Sequence, residues 1–164
     1  MDLAEFNRLP ADEARNVLRP CLDVDRWIDA VIAARPFPDL DSALESARND
    51  ATPLRTDEID AAMSHHPRIG EKAKGQSAEA AHSSREQAGL GTLDDEVQSQ
   101  LAAGNAAYEE RFDRVFLIRA AGRTPAEVLS ELQRRMDNTD ADETAEVGEQ
   151  LIQIAALRLE GILA

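Results

Sequence analysis

The spacing of hydrophobic residues along the chain predicts helices and almost no strands. Apolar side chains recur every three or four residues, which is typical of amphipathic helices, whereas strict alternation is rare. The clearest stripe is Leu93, Val97, Leu101, Asn105, Tyr108 and Phe112, in which Asn105 is the polar member. We therefore expect an all-α fold, in which residues 1–164 form a single-domain bundle of about seven to nine helices.

Capping and breaking residues predict where these helices begin and end. In the first half of the chain we expect a helix from about Ala11 to Cys21, a second capped by Asp23 or Asp25, a third that starts at Asp41, and a fourth from a Thr56 cap to near His65. In the second half we expect a helix capped by Ser77, another opened by a Thr92–Asp95 capping box, and another that starts at Thr124-Pro125. After a polar loop at 137–142, the last helix should run from about Glu143 to Ile162. Between two of them, Val115-Phe116-Leu117-Ile118 is predicted to be a buried extended segment.

Composition and charge narrow the class of protein. A net charge of −14 argues against nucleic-acid binding through the general surface, because phosphates would be repelled. No apolar run approaches the ~20 residues of a membrane span, and the first residues lack the pattern of a signal peptide. We therefore expect a cytoplasmic protein that binds neither nucleic acid nor membrane. Cys21 is the only cysteine and is expected to be a small buried hydrophobe.

His66 is the first candidate for chemistry. Pro67 forces it out of the helical conformation just after a helix end, where an imidazole can be held rigidly at the rim of a cavity. The alternative is that His66 only packs against or caps the preceding helix. Metal binding is not expected, because the spacing of the three histidines does not suit a metal site.

Ser83, Glu86 and Gln87 form the second candidate. Ser-x-x-Glu is a capping box, and Ser84 with Gln87 makes a second one in the next register, so a helix start explains them without any ligand. Alternatively, a hydroxyl, a carboxylate and an amide at a helix N-terminus can grip a polar heterocycle.

Arg158 is the third candidate. It lies at the edge of the apolar stripe of the last helix, where an inward guanidinium is costly unless it meets an anion. The alternative is an arginine that extends to solvent or pairs with a surface acid.

Three sequence motifs occur together at spacings that are too specific to be a chance combination. They are His66-Pro67-Arg68-Ile69-Gly70-Glu71, Ser83-Ser84-Arg85-Glu86-Gln87-Ala88-Gly89-Leu90 and Asn105-Ala106-Ala107-Tyr108-Glu109-Glu110-Arg111-Phe112. Together they resemble the signatures of the OHCU decarboxylase family, where OHCU is 2-oxo-4-hydroxy-4-carboxy-5-ureidoimidazoline, and the resemblance covers nearly the whole chain. The family commonly has Phe-Gly where this chain has Phe112-Asp113. Its closing helix often has two arginines, and here one place is Ala156.

The resemblance implies an all-helical enzyme for the last step of the conversion of urate to (S)-allantoin, with no metal or organic cofactor. It implies that His66, Glu86 and Arg158 are catalytic, and that the substrate is bound by Pro67, Ser83, Gln87, Phe116, Leu117, Ile118 and Arg119. It also implies that the protein forms a homodimer and binds a small-molecule substrate. In this interpretation His66 is the acid–base group, Glu86 holds ring N–H groups, Arg158 offsets negative charge, and backbone amides near Ile118 bind ring oxygens.

Two other hypotheses compete with a decarboxylase. A non-catalytic helical ligand-binding domain would keep the pocket but lack the reaction, and Asp113 is its support in the sequence. An acidic helical scaffold would have no cavity that holds His66, Glu86 and Arg158 together.

Overall fold

The computed structural model describes residues 1–69, 78–91 and 93–164, and the ordered elements in those ranges are all helices. They are α1 (Leu3–Arg8), α2 (Ala11–Leu18), α3 (Asp25–Ala33), α4 (Leu40–Asn49), α5 (Thr56–Met63), α6 (Ala78–Ala88), α7 (Asp95–Phe112), α8 (Pro125–Arg135) and α9 (Asp140–Leu163). The all-α prediction is confirmed. In the described ranges, no helix combines the length and apolar character needed to cross a membrane.

The chain forms two compact units, and the first comprises Met1–Ala62 and Leu151–Ala164. Trp27 is fully buried there, and its indole N–H donates to the Ala47 carbonyl at 2.8 Å. The Arg35 guanidinium donates through Nη1 to the carbonyls of Phe6 and Leu9 at 2.7 and 3.0 Å. These long-range bonds reach carbonyls at helix ends, where backbone groups lack partners within the helix or, like that of Phe6, have only one.

The second unit comprises Met63–Gln150, and its hydrophobic core is built on the predicted stripe of α7. Leu101, Asn105 and Tyr108 are buried, while the outer members of the stripe are partly buried. The neighbouring helix α8 packs closely on α7 at Gly104, where an added Cβ would lie 3.0 Å from a methyl of Leu132. The hydrophobic spacing therefore located this core correctly.

Two predicted boundaries near the start of the chain are wrong. The helix expected to reach Cys21 ends at Leu18, although Cys21 is buried as expected. Neither Asp23 nor Asp25 caps α3, because both carboxylates accept hydrogen bonds from Arg19 instead.

The predicted start of α7 is also displaced. Asp94 is the N-cap, and its side chain accepts a hydrogen bond from the Val97 amide at 2.7 Å, so the Thr92–Asp95 capping box is wrong. Thr92 itself lies outside the described residues.

The last helix begins three residues earlier than predicted. The Thr139 hydroxyl accepts from the Asp142 amide at 3.1 Å, and the carboxylates of Asp140, Asp142 and Glu143 occupy the first turn of α9. Negative charge is favourable at that end of a helix, so residues predicted as loop belong to it.

Asp113 ends α7 in the left-handed conformation, with φ 56° and ψ 36°. Glycine adopts this conformation readily, whereas an aspartate does so at a cost. The chain then runs without helix through 115–120, where Phe116, Leu117 and Ile118 are buried, as the sequence predicts. The residue at 113 is therefore not the glycine that the resemblance leads us to expect, but its backbone has the conformation that glycine favours.

Candidate active site

His66 lies in a short non-helical segment just after α5. Its backbone N–H donates to the Met63 carbonyl at 3.2 Å, which closes the end of that helix, and Pro67 follows at once. The His66 residue is half-buried. The expected position, outside the helix and beside its end, is therefore confirmed.

Helices α6 and α7 hold the two residues after Pro67. Arg68 forms a forked ion pair with Glu109 of α7, in which Nη2 donates to Oε2 at 3.0 Å. The Ile69 carbonyl accepts from Asn105 Nδ2 at 3.0 Å, and the Ile69 side chain is buried. Gln87 Nε2 of α6 makes a long contact, 3.5 Å, with the Arg68 carbonyl. The segment that carries His66 is thus fixed from two helices.

The polar residue in the α7 stripe now has a structural reason. Asn105 is buried because its amide holds the Ile69 carbonyl, and among the described residues its Oδ1 has no hydrogen-bond partner. Nearby, the hydrogen bond from Arg68 holds the pKa of Glu109 below its ordinary value.

Helix α6 corrects the interpretation of Ser83. The helix already runs from Ala78, so Ser83 and Ser84 lie inside it and not at its N-terminus. The capping-box prediction is wrong for both residues, and so is the idea of a helix N-terminus at this point. Glu86 and Gln87 are half-buried near its end. The predicted cap Ser77 and the side chain of Ser83 lie outside the described part of the structure.

The backbone at 117–119 is held by two side chains of the second unit. Arg135 Nη1 donates to the Leu117 carbonyl at 2.7 Å. The Arg119 amide donates to Gln150 Oε1 at 2.8 Å, so this amide already has an acceptor. In the described residues the amide of Ile118, which lies between them, makes no hydrogen bond.

A buried polar network, which we did not predict from the sequence, is formed by Tyr108, Glu143, Arg135 and Asn138. Glu143 Oε1 accepts from the Tyr108 hydroxyl and from Arg135 Nε and Nη2, while Oε2 accepts from Asn138 at 3.0 Å. Arg135 and Glu143 are each 1% exposed. Burial, and then the Glu143 carboxylate, raise the pKa of Tyr108.

A signal for this network was present in the sequence. Arg135 continues the buried spacing of Val128 and Leu132, and Glu143 stands four residues before Val147 on a buried stripe. Opposite charges at apolar positions of two successive helices are typical of a buried ion pair.

Arg158 is buried in the first unit, with 3% exposure, and its Nη1 donates to the Pro20 carbonyl at 2.9 Å. The expectation of an inward guanidinium is confirmed, and the alternative of an arginine that extends to solvent is wrong. His66, Glu86, Gln87 and 116–119 belong to the second unit.

A pocket of about 440 Å³ in the second unit is lined by α7 and by residues 68, 69 and 93. Its described lining includes Ile69, Leu93, Gln98 and Asn105, and none of the residues predicted to be catalytic or to bind substrate is among them. We therefore assign no role to this pocket. Among the described residues, no cluster of histidine, cysteine, aspartate or glutamate side chains is arranged to hold a metal ion.

Comparisons with known proteins agree with the resemblance. The family model described as OHCU decarboxylase matches residues 7–160. The 2-oxo-4-hydroxy-4-carboxy-5-ureidoimidazoline decarboxylase of Mus musculus is 32% identical over 99% of this chain and 89% of that protein. The enzyme of the same name from Amia calva is 31% identical over 99% and 95%.

A solved structure shows the same fold. The crystal structure of OHCU decarboxylase in the presence of (S)-allantoin matches with a TM-score of 0.67 at 24% identity, over 88% of this chain and 94% of that one.

Proposed function

Because the chain belongs to the OHCU decarboxylase family, we propose that it converts OHCU to (S)-allantoin and CO2 as a carboxy-lyase of urate degradation. The bond from the ring carbon to the carboxylate breaks, and its electron pair passes into the conjugated ring. A proton is then added to one face of the ring. Because the ring itself accepts the electrons, the reaction needs no cofactor as an electron sink.

The observation that carries the proposal is the fixed segment 66–69. Its two carbonyls and one ion pair tie it to α6 and α7, so a histidine at its start has few conformations to lose when substrate binds. This fixed backbone supports His66 as the group that would handle the proton. Pro67 beside it limits the backbone further.

Glu86, Ser83 and Gln87 would hold the ring. All three lie on α6, and Gln87 contacts the segment that carries His66. A carboxylate is the strongest acceptor for ring N–H groups, so Glu86 would orient the substrate. The backbone at 116–119 would supply a donor for a ring oxygen.

Arg158 would offset the negative charge of the substrate. This role rests on the resemblance.

Substitution of His66 tests the proposal. Freshly prepared OHCU would be added to the wild type and to His66→Ala, and circular dichroism would follow the excess of (S)-allantoin. We expect His66→Ala to lower the enzymatic rate about 10²- to 10⁴-fold, the contribution of a general acid–base group, while its helical spectrum stays unchanged. The matched control is His65→Ala, because His65 is the exposed neighbour. Near-normal turnover of His66→Ala would remove His66 from this role.

The non-catalytic alternative depended on Asp113. Because Asp113 has the left-handed backbone conformation that glycine favours, and Phe116 is still buried after it, that difference gives no physical reason for lost activity. The cytoplasmic location, the single domain and the homodimer stay predictions. Sedimentation equilibrium would test the dimer.

A further inference from the structure

We propose that the buried polar network of Tyr108, Glu143, Arg135 and Asn138 positions the backbone at 117–119 so that the Ile118 amide can bind a ring oxygen of the substrate. This inference rests on the proposed function. It assigns these residues a positioning role, since they act through the backbone and not on the substrate.

Glu143 fixes the direction of Arg135. One carboxylate oxygen accepts from Nε and Nη2 of Arg135 and from the Tyr108 hydroxyl, and the other accepts from Asn138. Since Arg135 and Glu143 are each 1% exposed, water cannot replace these bonds. The guanidinium therefore has one orientation available to it.

Arg135 in turn fixes Leu117 and Phe116. Its Nη1 donates to the Leu117 carbonyl at 2.7 Å, and its guanidinium lies 4.6 Å from the centre of the Phe116 ring. The Tyr108 ring meets the same Phe116 ring edge-on at 5.2 Å. Arg135 thus holds both the Phe116 side chain and the Leu117 backbone that begins 117–119.

The Ile118 amide is the backbone donor that this arrangement leaves available for the substrate. Arg135 holds the carbonyl before it and Gln150 holds the amide after it, whereas among the described residues the Ile118 amide has no acceptor. Ile118 is 5% exposed, and a buried N–H without an acceptor is costly. A ring oxygen of the substrate is an acceptor of the right chemistry.

Tyr108→Phe tests the inference. It removes the hydroxyl and keeps the ring against Phe116, so the fold should persist. We expect kcat/KM to fall about tenfold or more and the excess of (S)-allantoin to shrink, because small displacements at a reacting centre are expensive. Amide hydrogen exchange in a peptide spanning 115–123 should become about tenfold faster in the folded variant.

Arg134→Gln is the matched control. Arg134 stands beside Arg135, but it pairs with Glu131 and Glu146 at the surface. We expect this variant to keep kcat, KM and product handedness within about twofold of the wild type.

The outcomes separate the two proposals. An active wild type with a Tyr108→Phe variant of unchanged kcat, KM, handedness and exchange overturns the inference. An inactive wild type overturns the proposed function instead, and the exchange measurement still tests the positioning of 117–119. If Tyr108→Phe does not fold, Asn138→Ala, which removes the side-chain contacts to the second carboxylate oxygen of Glu143 and to Glu146, is measured in the same way.

Discussion

Replacing Glu143 with alanine should destabilise the protein more than any surface substitution of an acid. In the folded state its carboxylate neutralises Arg135 and accepts hydrogen bonds from Tyr108 and Asn138. Alanine leaves the Arg135 charge in a site that is 1% exposed and removes the acceptor of the Tyr108 hydroxyl.

The size of the effect follows from this burial. Breaking a buried ion pair by removing one partner costs about 3–5 kcal/mol, because the other charge is left uncompensated. The orphaned Tyr108 hydroxyl adds about 1 kcal/mol or more, although the two losses share one site and do not simply add. We expect the free energy of unfolding to fall by about 4 kcal/mol, which lowers Tm by about 10–15 °C in a protein of this size.

Urea unfolding followed by circular dichroism measures this change. The matched control is Glu131→Ala, which removes an acid that pairs at the surface with Arg134, the neighbour of Arg135. We expect this control to lose less than about 1 kcal/mol, since exposed ion pairs contribute little. The urea midpoint of Glu143→Ala should move far more at a similar m-value.

A loss below about 1 kcal/mol for Glu143→Ala, or a loss equal to that of Glu131→Ala, would refute the reasoning, because a buried charge without a partner cannot be that inexpensive. Either result would mean that the network opens to water at little cost.

Three further predictions concern the backbone, pH and salt. Asp113→Gly should raise the free energy of unfolding by about 1 kcal/mol, because glycine adopts φ 56° without strain; an unchanged urea midpoint contradicts this. Hydrogen bonds from arginines lower the pKa of Glu58 and Glu109, so the stability that these carboxylates contribute is present above about pH 4.5 and is lost as the pH falls further. The pKa of Tyr108 is raised, so stability should fall above about pH 10, where the unfolded chain loses this proton first. Measurements of Tm across pH should show both declines. Finally, with a net charge of −14, self-repulsion should outweigh the surface ion pairs, so Tm should rise between about 0.05 and 1 M NaCl, and a falling Tm would contradict it.

Periodicity and caps were reliable where one interaction decides the structure. The α7 stripe and its partner helix α8 follow from hydrophobic spacing, and Thr124-Pro125 begins α8 as expected, with the Thr124 hydroxyl accepting from the Glu127 amide. Proline after His66 similarly fixed where α5 ends.

Capping patterns gave wrong helix starts where the tertiary structure offered another partner or where the helix began earlier in the chain. Asp23 and Asp25 look like helix caps, but Arg19 lies close enough to bind both carboxylates. Ser83 resembles a cap because its spacing to Glu86 fits, but the helix around it had already started.

The buried polar network needed the tertiary structure. Arg135 and Glu143 are read as surface residues when charge alone is considered, because charged side chains are rarely buried. The tertiary structure shows that the rings of Tyr108 and Phe116 pack against the Arg135 guanidinium. Such pairs can be sought in other sequences as opposite charges at apolar stripe positions.

The most direct measurement is the product formed from freshly made OHCU by the wild-type protein, followed by circular dichroism. We expect (S)-allantoin to accumulate in excess at a rate proportional to protein concentration, because protonation in the site occurs on one face of the ring. Product with no excess of either enantiomer, formed no faster than without protein, would contradict the proposed function.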